Sequence, residues 1–269
     1  MVTGASARCN AGGLALRSCL ADLPVKVVFQ SDLMPSFPSL DAFLRADPLR
    51  SAHRVAAGSS PVALILVEDD VEVATTLRHH QQAGFDPVVA FMPASFALPS
   101  DLEKTVLRID FDTSAADALT AALNPMIAAH SGLWFYYCYN AEYLFHPFCE
   151  SRNVGEMLAF HAEERRDAML TYVVDLYAGD LGASPNAVSL DAAFLDRSGY
   201  YALARKDAAT GHPKERQLDF FGGLRWRYEE HIPATRRKID RIALFRAERG
   251  LVLQPDHTFN IAEYNTYAC

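Results

Sequence analysis

The stretch Gly132-Leu-Trp-Phe-Tyr-Tyr-Cys-Tyr-Asn-Ala-Glu-Tyr-Leu-Phe-His-Pro147 decides the fold of this chain. Residues 133–138 are all apolar or aromatic, and two polar residues, Asn140 and Glu142, follow them. An unbroken apolar run of this length predicts a strand that is buried on both faces. Ligands of open α/β sheets bind outside the carboxyl ends of such strands. We therefore expect chemistry at Asn140 and Glu142. The alternative is an edge hairpin with a solvated glutamate.

Apolar runs and helical patterns alternate on the amino-terminal side of this stretch. The segments that we expect are a strand at 62–67, a helix ending at Gly84, strands at 87–92 and 104–111, and a helix at 115–130. In the first helix, Asp69 or Asp70 is suited to cap the free backbone N–H groups. The alternation of strands and helices predicts an α/β fold, with a mostly parallel, Rossmann-like central sheet flanked by helices.

The carboxyl-terminal part predicts a mixed arrangement of shorter elements. We expect a helix at 154–169, a short helix or turn at 192–197, and strands at 171–177, 200–204, 220–228, 241–246 and 250–254. Residues 1–60 read as an N-terminal appendage that is partly irregular, with a strand at 24–30 and a helix at 39–45.

Composition excludes several classes of protein. The chain has 269 residues, of which 50% are hydrophobic and 22% charged, as in ordinary globular domains. Its 33 Asp and Glu against 25 Lys and Arg argue against binding to nucleic acid, which requires a basic face. The sequence contains no run of 18 apolar residues, so it predicts no membrane-spanning helix. The five cysteines lack C-x-x-C spacing, which favours a reducing, cytoplasmic location.

The two ends of the chain carry weaker signals. The apolar run at 11–16 is too short for a secretory signal peptide. The last residues, 264–269, are aromatic and include no polar tail, so we expect the sequence to be the front part of a longer protein.

Several local patterns, in this order, resemble family 2-type glycosyltransferases of the GT-A fold, especially a bacterial subgroup. In the first half they are Val67-Glu68-Asp69, His79-His80, Gly84-Phe85, Asn124 and the strand that runs from Trp134 to Tyr143. In the second half they are Phe221-Gly222-Gly223, Arg225, Arg227, Lys238, Arg241 and His257. The resemblance covers about residues 61–260. It implies a GT-A-like catalytic domain at 61–269, with a nucleotide-binding half at 61–147 and an acceptor half at 148–269.

One motif departs from the pattern of that subgroup. Where the family has an Asp-x-Asp motif that holds a divalent metal, this chain has Tyr139 and Ala141. The oxygen ligands that remain are Glu142 and Asn140, and His257 is a third candidate metal ligand. The resemblance thus implies an eroded site for Mn²⁺ or Mg²⁺.

The resemblance also implies an activity, which is the transfer of a sugar from a nucleotide-sugar donor to a glycan or lipid-linked acceptor. The residues expected to contact the donor are Glu68, Asp69, Asp110, Asp112, Arg225, Arg227 and Lys238. The last three, together with His257, are expected at the diphosphate. The candidate general bases are Asp219 and Glu230. The expected setting is bacterial polysaccharide biosynthesis in the cytoplasm. A peripheral association with the inner face of the membrane is compatible with it.

Two other classes of protein remain open. A non-catalytic or metal-independent GT-A-like protein that binds a sugar nucleotide fits the eroded motif. A metal-dependent hydrolase is the other class, in which Glu142, His146 and His161 hold zinc or iron. Strand-like sequence separates the first two of these residues, which argues against the hydrolase.

Overall fold

A computed structural model describes residues 34–50 and 60–266, and the elements below belong to those ranges. The strands are β1 Ser36–Phe37, β2 Val62–Leu66, β3 Val88–Met92, β4 Val106–Asp110, β5 Trp134–Tyr139, β6 Ala168–Tyr172, β7 Leu176–Ala178, β8 Ala193–Leu195, β9 Tyr201–Lys206, β10 Pro213–Phe221 and β11 Asp240–Arg246. The helices are α1 Leu40–Ala46, α2 Val73–Gln82, α3 Ala118–Ala129, α4 Val154–Glu163 and α5 Gly223–Arg227. Short 3-10 turns lie at Leu102–Lys104, Glu229–His231, Ala234–Arg236 and Ala262–Asn265.

Seven strands form the central sheet in the order β1-β4-β3-β2-β5-β11-β6. The pairs from β1 to β5 are parallel, whereas β11 runs antiparallel to both β5 and β6. The remaining strands form two separate antiparallel pairs, β7 with β8 and β9 with β10. The α/β class, with a mostly parallel mixed sheet flanked by helices, is therefore confirmed, and the arrangement is compatible with a Rossmann-like fold.

Strand β5 lies inside the sheet, between β2 and β11, and both of its faces are buried. On one face the ring of Tyr136 stacks on His80 of α2, with ring centroids 5.2 Å apart. On the other face Phe135 packs against Phe245 of β11. The buried strand predicted at 133–139 is thus confirmed, and the alternative of an edge hairpin is wrong.

The strand order reverses at β2. The chain proceeds from β2 to β3 and β4 on one side, then returns past β2 to form β5 on the other side. Right-handed crossovers then place α2 and α3 on opposite faces of the sheet. β2 and β5 lie side by side at this point, and the carboxyl ends of the strands at such a reversal are where α/β sheets open a crevice for ligands.

Helix α2 ends as predicted but begins differently. Gly84 follows its C-terminus with φ of +99°, and a Cβ atom there would lie 2.9 Å from the Cβ of Asn153. Glycine is therefore required by conformation and by space. The predicted cap is wrong, because the N-cap residue is Glu72 and no side chain caps the helix. Asp69 instead accepts hydrogen bonds from the backbone of Val71 and from Asn140.

The carboxyl-terminal part differs most from the expectations. The helix predicted at 154–169 ends at Glu163, and the residues from Ala168 onward form β6. The strand predicted at 220–228 ends at Phe221 and continues as helix α5. Gly223 has φ of +59°, a conformation in which side chains are disfavoured, and this kink turns the chain from strand to helix.

Residues 34–50 contribute to the same core as the rest of the sheet. Strand β1 pairs in parallel with β4, and the side chains of Phe43 and Leu49 are fully buried. The helix predicted at 39–45 is confirmed as α1, with Ser39 as its N-cap. The strand predicted at 24–30 lies outside the described residues. Within the described ranges, every helix is too short or too polar to cross a bilayer.

Candidate functional site

Asn140 joins the carboxyl ends of β2 and β5. Its side-chain oxygen accepts a hydrogen bond from the backbone N–H of Glu68 at 2.9 Å. Its amide nitrogen donates to Asp69 and to the carbonyl of Val71. Asn140 thereby fixes the loop after β2. A metal ion bound to its side-chain oxygen, as predicted, would compete with the hydrogen bond that this oxygen already accepts.

A pocket of about 510 Å³ opens beside this junction, between the ends of β2 and β5 and the segment 224–241. Its volume falls within the range of small-molecule sites. The carboxylates that line it are Glu68, Glu142, Asp175 and Asp240. The cationic side chains that line it are Arg225, Arg236, Lys238 and Arg241, and His257, Tyr139 and Asn140 complete its polar lining.

Glu142 forms an ion pair with Arg241 across the strand boundary. Its Oε2 atom accepts from the guanidinium of Arg241 and from the backbone N–H of Tyr139, the latter at 2.9 Å. Ala141, with φ of +58°, turns the chain so that Glu142 folds back on β5. The guanidinium also lies over the rings of Tyr137 and Tyr139.

The carboxylate of Glu142 stabilises the charge on Arg241. Burial opposes the charge of the guanidinium most strongly, but the nearby groups of Glu142, Tyr137 and Tyr136 together outweigh it, so the pKa of Arg241 is raised. Since a buried cation needs a partner of opposite charge, Glu142 is first of all the counter-ion of Arg241.

The three expected metal ligands do not fit a divalent cation. Glu142 is neutralised by Arg241, Asn140 accepts from Glu68, and the Nδ1 atom of His257 is hydrogen-bonded to Tyr137. A guanidinium in contact with the only carboxylate of this set repels a second cation. In residues 34–50 and 60–266, no group of three or more His, Cys, Asp or Glu is arranged to hold a metal ion.

The other cations of the pocket differ in how far they are neutralised. Arg225 makes a two-point ion pair with Asp175, at 2.6 and 2.9 Å, and Lys238 lies 3.1 Å from Asp219. Arg236 is exposed and makes no ion pair within the part of the chain that the structure describes. Arg236 is therefore the lining cation that no ion pair neutralises within the described residues.

Glu68 is the most available carboxylate of the pocket. The carboxylates of Glu142 and Asp175 are paired with arginines, and Asp240 is buried and accepts from the backbone of Phe220. Burial raises the pKa of Glu68, with Arg236 opposing this shift and Asp69 and Glu142 adding to it. A carboxylate with a raised pKa is a stronger base and is typical of functional sites.

His257 lies at the inner end of the pocket, in a left-handed conformation with φ of +63°. Burial, together with the charges of Arg241 and Lys238, lowers the pKa of its imidazole to about 4. The imidazole is therefore neutral at physiological pH, so it acts through hydrogen bonds and not as a counter-charge.

Several predicted site residues lie away from the pocket lining. Asp110 pairs with Arg108 at 2.9 Å, and Asp112 accepts from Ser114. Arg227 pairs with Asp196, which removes it from the expected role at the diphosphate.

The two expected general bases also lie outside the lining of the pocket. Asp219 is shared by Arg205 and Lys238, which lie 2.9 and 3.1 Å from its carboxylate, so two cations neutralise it by direct contact. Glu230 is exposed in a 3-10 turn, with His231 at 3.7 Å.

The sequence did not identify four charged residues of the pocket lining as site residues: Asp175, Arg236, Asp240 and Arg241. Arg241 lies in an apolar strand, a position where alternation predicts a solvent-facing side chain. Only the position of β11 beside β5 brings it to Glu142.

The residues of the hydrolase alternative have other contacts. Glu142 is held by Arg241, and the ring of His146 is hydrogen-bonded to the carbonyl of Pro147. His161 lies near the end of α4. Comparison with protein-family models, with curated proteins and with solved structures finds no match for this chain.

Proposed function

We propose that this protein is a glycosyltransferase of the GT-A type that binds a nucleotide-sugar donor in the pocket at the ends of β2 and β5. The observation that carries the proposal is the combination of a 510 Å³ pocket at the reversal of strand order with a lining cation, Arg236, that no ion pair neutralises within the described residues. A diphosphate is the part of a nucleotide sugar that requires such cations.

The carboxylate of Glu68 is suited to the role of general base in this reaction. An acceptor hydroxyl attacks the anomeric carbon, the bond from that carbon to the diphosphate breaks, and Glu68 takes the hydroxyl proton. Arg236, whose charge is free, stabilises the charge that develops on the leaving diphosphate. Asp219 and Glu230, the bases expected from the sequence, are less suited because they lie outside the lining of the pocket.

The counter-charge that we propose for the diphosphate comes from side chains and not from Mn²⁺ or Mg²⁺. The Glu142–Arg241 pair supports this version, because it fills the place of the expected metal motif with a guanidinium. The acceptor we propose is a glycan or a lipid-linked glycan, and the setting is the cytoplasm at the inner face of the membrane.

The test is calorimetric titration of the protein with UDP and GDP, with and without Mn²⁺. We expect micromolar to millimolar binding of at least one nucleotide, and a loss of about tenfold in affinity on Arg236→Ala, which removes a charged hydrogen bond. The matched control is Arg249→Ala, since Arg249 is exposed and outside the pocket. Absence of binding to either nucleotide at millimolar concentration contradicts the proposal.

A second candidate is a protein that binds the sugar nucleotide without transferring the sugar. The ion pair between Glu142 and Arg241 favours it, because Glu142 is then not available to bind the catalytic metal of the resembled family. Release of nucleoside diphosphate from a nucleotide sugar, measured with and without glycan acceptors, separates the two. Tight binding without any release identifies the non-catalytic protein.

A further inference from the structure

Tyr137 and His257 form a buried hydrogen-bonded pair at the inner end of the pocket. The phenol oxygen of Tyr137 lies 3.0 Å from Nδ1 of His257, and the two rings are parallel to within 2°. Tyr137 is fully buried at the centre of β5, whereas His257 lines the pocket. One member of the pair is thus reachable by a ligand and the other is not.

The direction of this hydrogen bond follows from what each atom has available. A buried hydroxyl hydrogen left without an acceptor is costly. In residues 34–50 and 60–266, Nδ1 of His257 is the acceptor within reach of the Tyr137 hydroxyl. The hydroxyl therefore donates, and Nδ1 accepts.

The tautomer of His257 follows from that direction. A neutral imidazole carries one hydrogen, so an accepting Nδ1 places the hydrogen on Nε2. Burial and the cations Arg241 and Lys238 keep the pKa of this ring low, which supports the neutral form. Within the described part of the chain, Nε2 makes no hydrogen bond to another residue.

We propose that Tyr137 is a positioning residue, which holds His257 with its Nε2–H directed to an anionic oxygen of the ligand in the pocket. The chemical class of that ligand is a diphosphate, because Arg236 lines the same pocket as His257 and makes no ion pair within the described residues. This inference rests on the proposed function for the identity of the nucleotide, but not for the state of His257. It also gives His257 a role that excludes metal binding through Nε2, which requires the opposite tautomer.

The first measurement is the ¹⁵N spectrum of the imidazole groups in the whole, ligand-free protein, through long-range ¹H–¹⁵N correlations. We expect His257 to show a protonated Nε2 and an unprotonated Nδ1. Tyr137→Phe removes the donor to Nδ1, and we expect the spectrum to change to a mixture of tautomers. Tyr136→Phe is the matched control, because it removes a phenol from the same strand on the opposite face. A protonated Nδ1 in the unmodified protein overturns the proposal.

The second measurement is the affinity for inorganic pyrophosphate and for UDP. We expect His257→Leu to weaken pyrophosphate binding about tenfold and Tyr137→Phe to weaken it severalfold, as for the loss of a hydrogen bond to a charged group. His257→Gln, which retains an N–H donor at the place of Nε2, should recover part of the loss. If pyrophosphate does not bind the unmodified protein, or binds all variants equally, the proposal is overturned.

The outcomes separate this inference from the proposed function. Pyrophosphate binding that depends on Tyr137, without any nucleotide binding, supports the inference and contradicts the transferase. Nucleotide binding that is unchanged by Tyr137→Phe and His257→Leu supports the proposed function and contradicts the inference about Tyr137 and His257.

Discussion

The guanidinium of Arg241 and the carboxylate of Glu142 meet at the carboxyl end of β5, although 99 residues separate them along the chain. Their side chains are 9% and 23% exposed, respectively, so the pair is largely shielded from water. Two tyrosine rings of β5 underlie the guanidinium. The pair therefore links the strand that carries the site to the antiparallel strand β11 beside it.

Breaking this pair should destabilise the protein. Glu142→Gln leaves the charge of Arg241 buried without a counter-ion, and we expect the free energy of unfolding to fall by about 3 kcal/mol, as for other buried pairs. Denaturation with urea measures the change. The double variant Glu142→Gln/Arg241→Met should regain part of the loss, because it leaves no buried charge.

The control is Arg246→Met, whose exposed pair with Asp167 should contribute less than about 1 kcal/mol. If Glu142→Gln and Arg246→Met lower the free energy of unfolding equally, the buried Glu142–Arg241 pair contributes no more than an exposed pair.

Removal of divalent cations should leave nucleotide binding almost unchanged. We expect the dissociation constant of UDP or GDP to differ by less than about threefold between EDTA and Mn²⁺, since the energy involved is then below about 0.7 kcal/mol. Calorimetry in the two buffers makes the comparison. A tenfold or larger gain in affinity with Mn²⁺, lost in Glu142→Gln, would restore the metal role expected of Glu142 from the sequence.

Glu68→Gln should reduce activity while it stabilises the fold. If Glu68 is the general base, the rate should fall about 10²- to 10⁴-fold. The pKa of Glu68 is raised in the folded protein, so its ionised form opposes folding above that pKa. This penalty fades as pH falls, and it disappears below the unfolded value of 4.5.

The pH dependence of that variant provides the check. Urea denaturation at pH 7 should show Glu68→Gln to be more stable than the unmodified protein, and the two should converge near pH 4. Glu103→Gln is the control, because Glu103 is exposed and outside the pocket. A variant that is less stable at pH 7 and also inactive would indicate a structural role for Glu68 instead.

Two glycine positions separate the effect of conformation from that of space. Gly84 has φ of +99° and its added Cβ would meet Asn153 at 2.9 Å, whereas Gly250 has φ of +84° with nothing within 4 Å. We expect Gly250→Ala to cost about 1 kcal/mol through backbone strain alone. Gly84→Ala should cost about 2 to 3 kcal/mol, because the start of α4 must also move. Thermal or urea denaturation of both variants tests the difference, and equal losses would show that α4 adapts freely.

The local sequence by itself determined the elements that build the sheet. Long apolar runs such as 62–67 and 133–139 can only be buried, and Gly84 marks a helix end because few other residues adopt its conformation. These properties act within a few residues, so a single sequence reveals them. The same local reasoning also placed Glu68, Asn140 and Glu142 at strand ends, where the structure confirms them.

The contacts made at those ends were decided only by the tertiary structure. Glu142 is a counter-ion because β11 lies beside β5, and Arg236 and Asp175 line the same pocket from segments that are distant in sequence. Residues 220–228 became a strand and a helix because Gly223 kinks the chain against Tyr200. Charges and contacts between distant segments depend on strand order and packing, and no local pattern of residues contains that information.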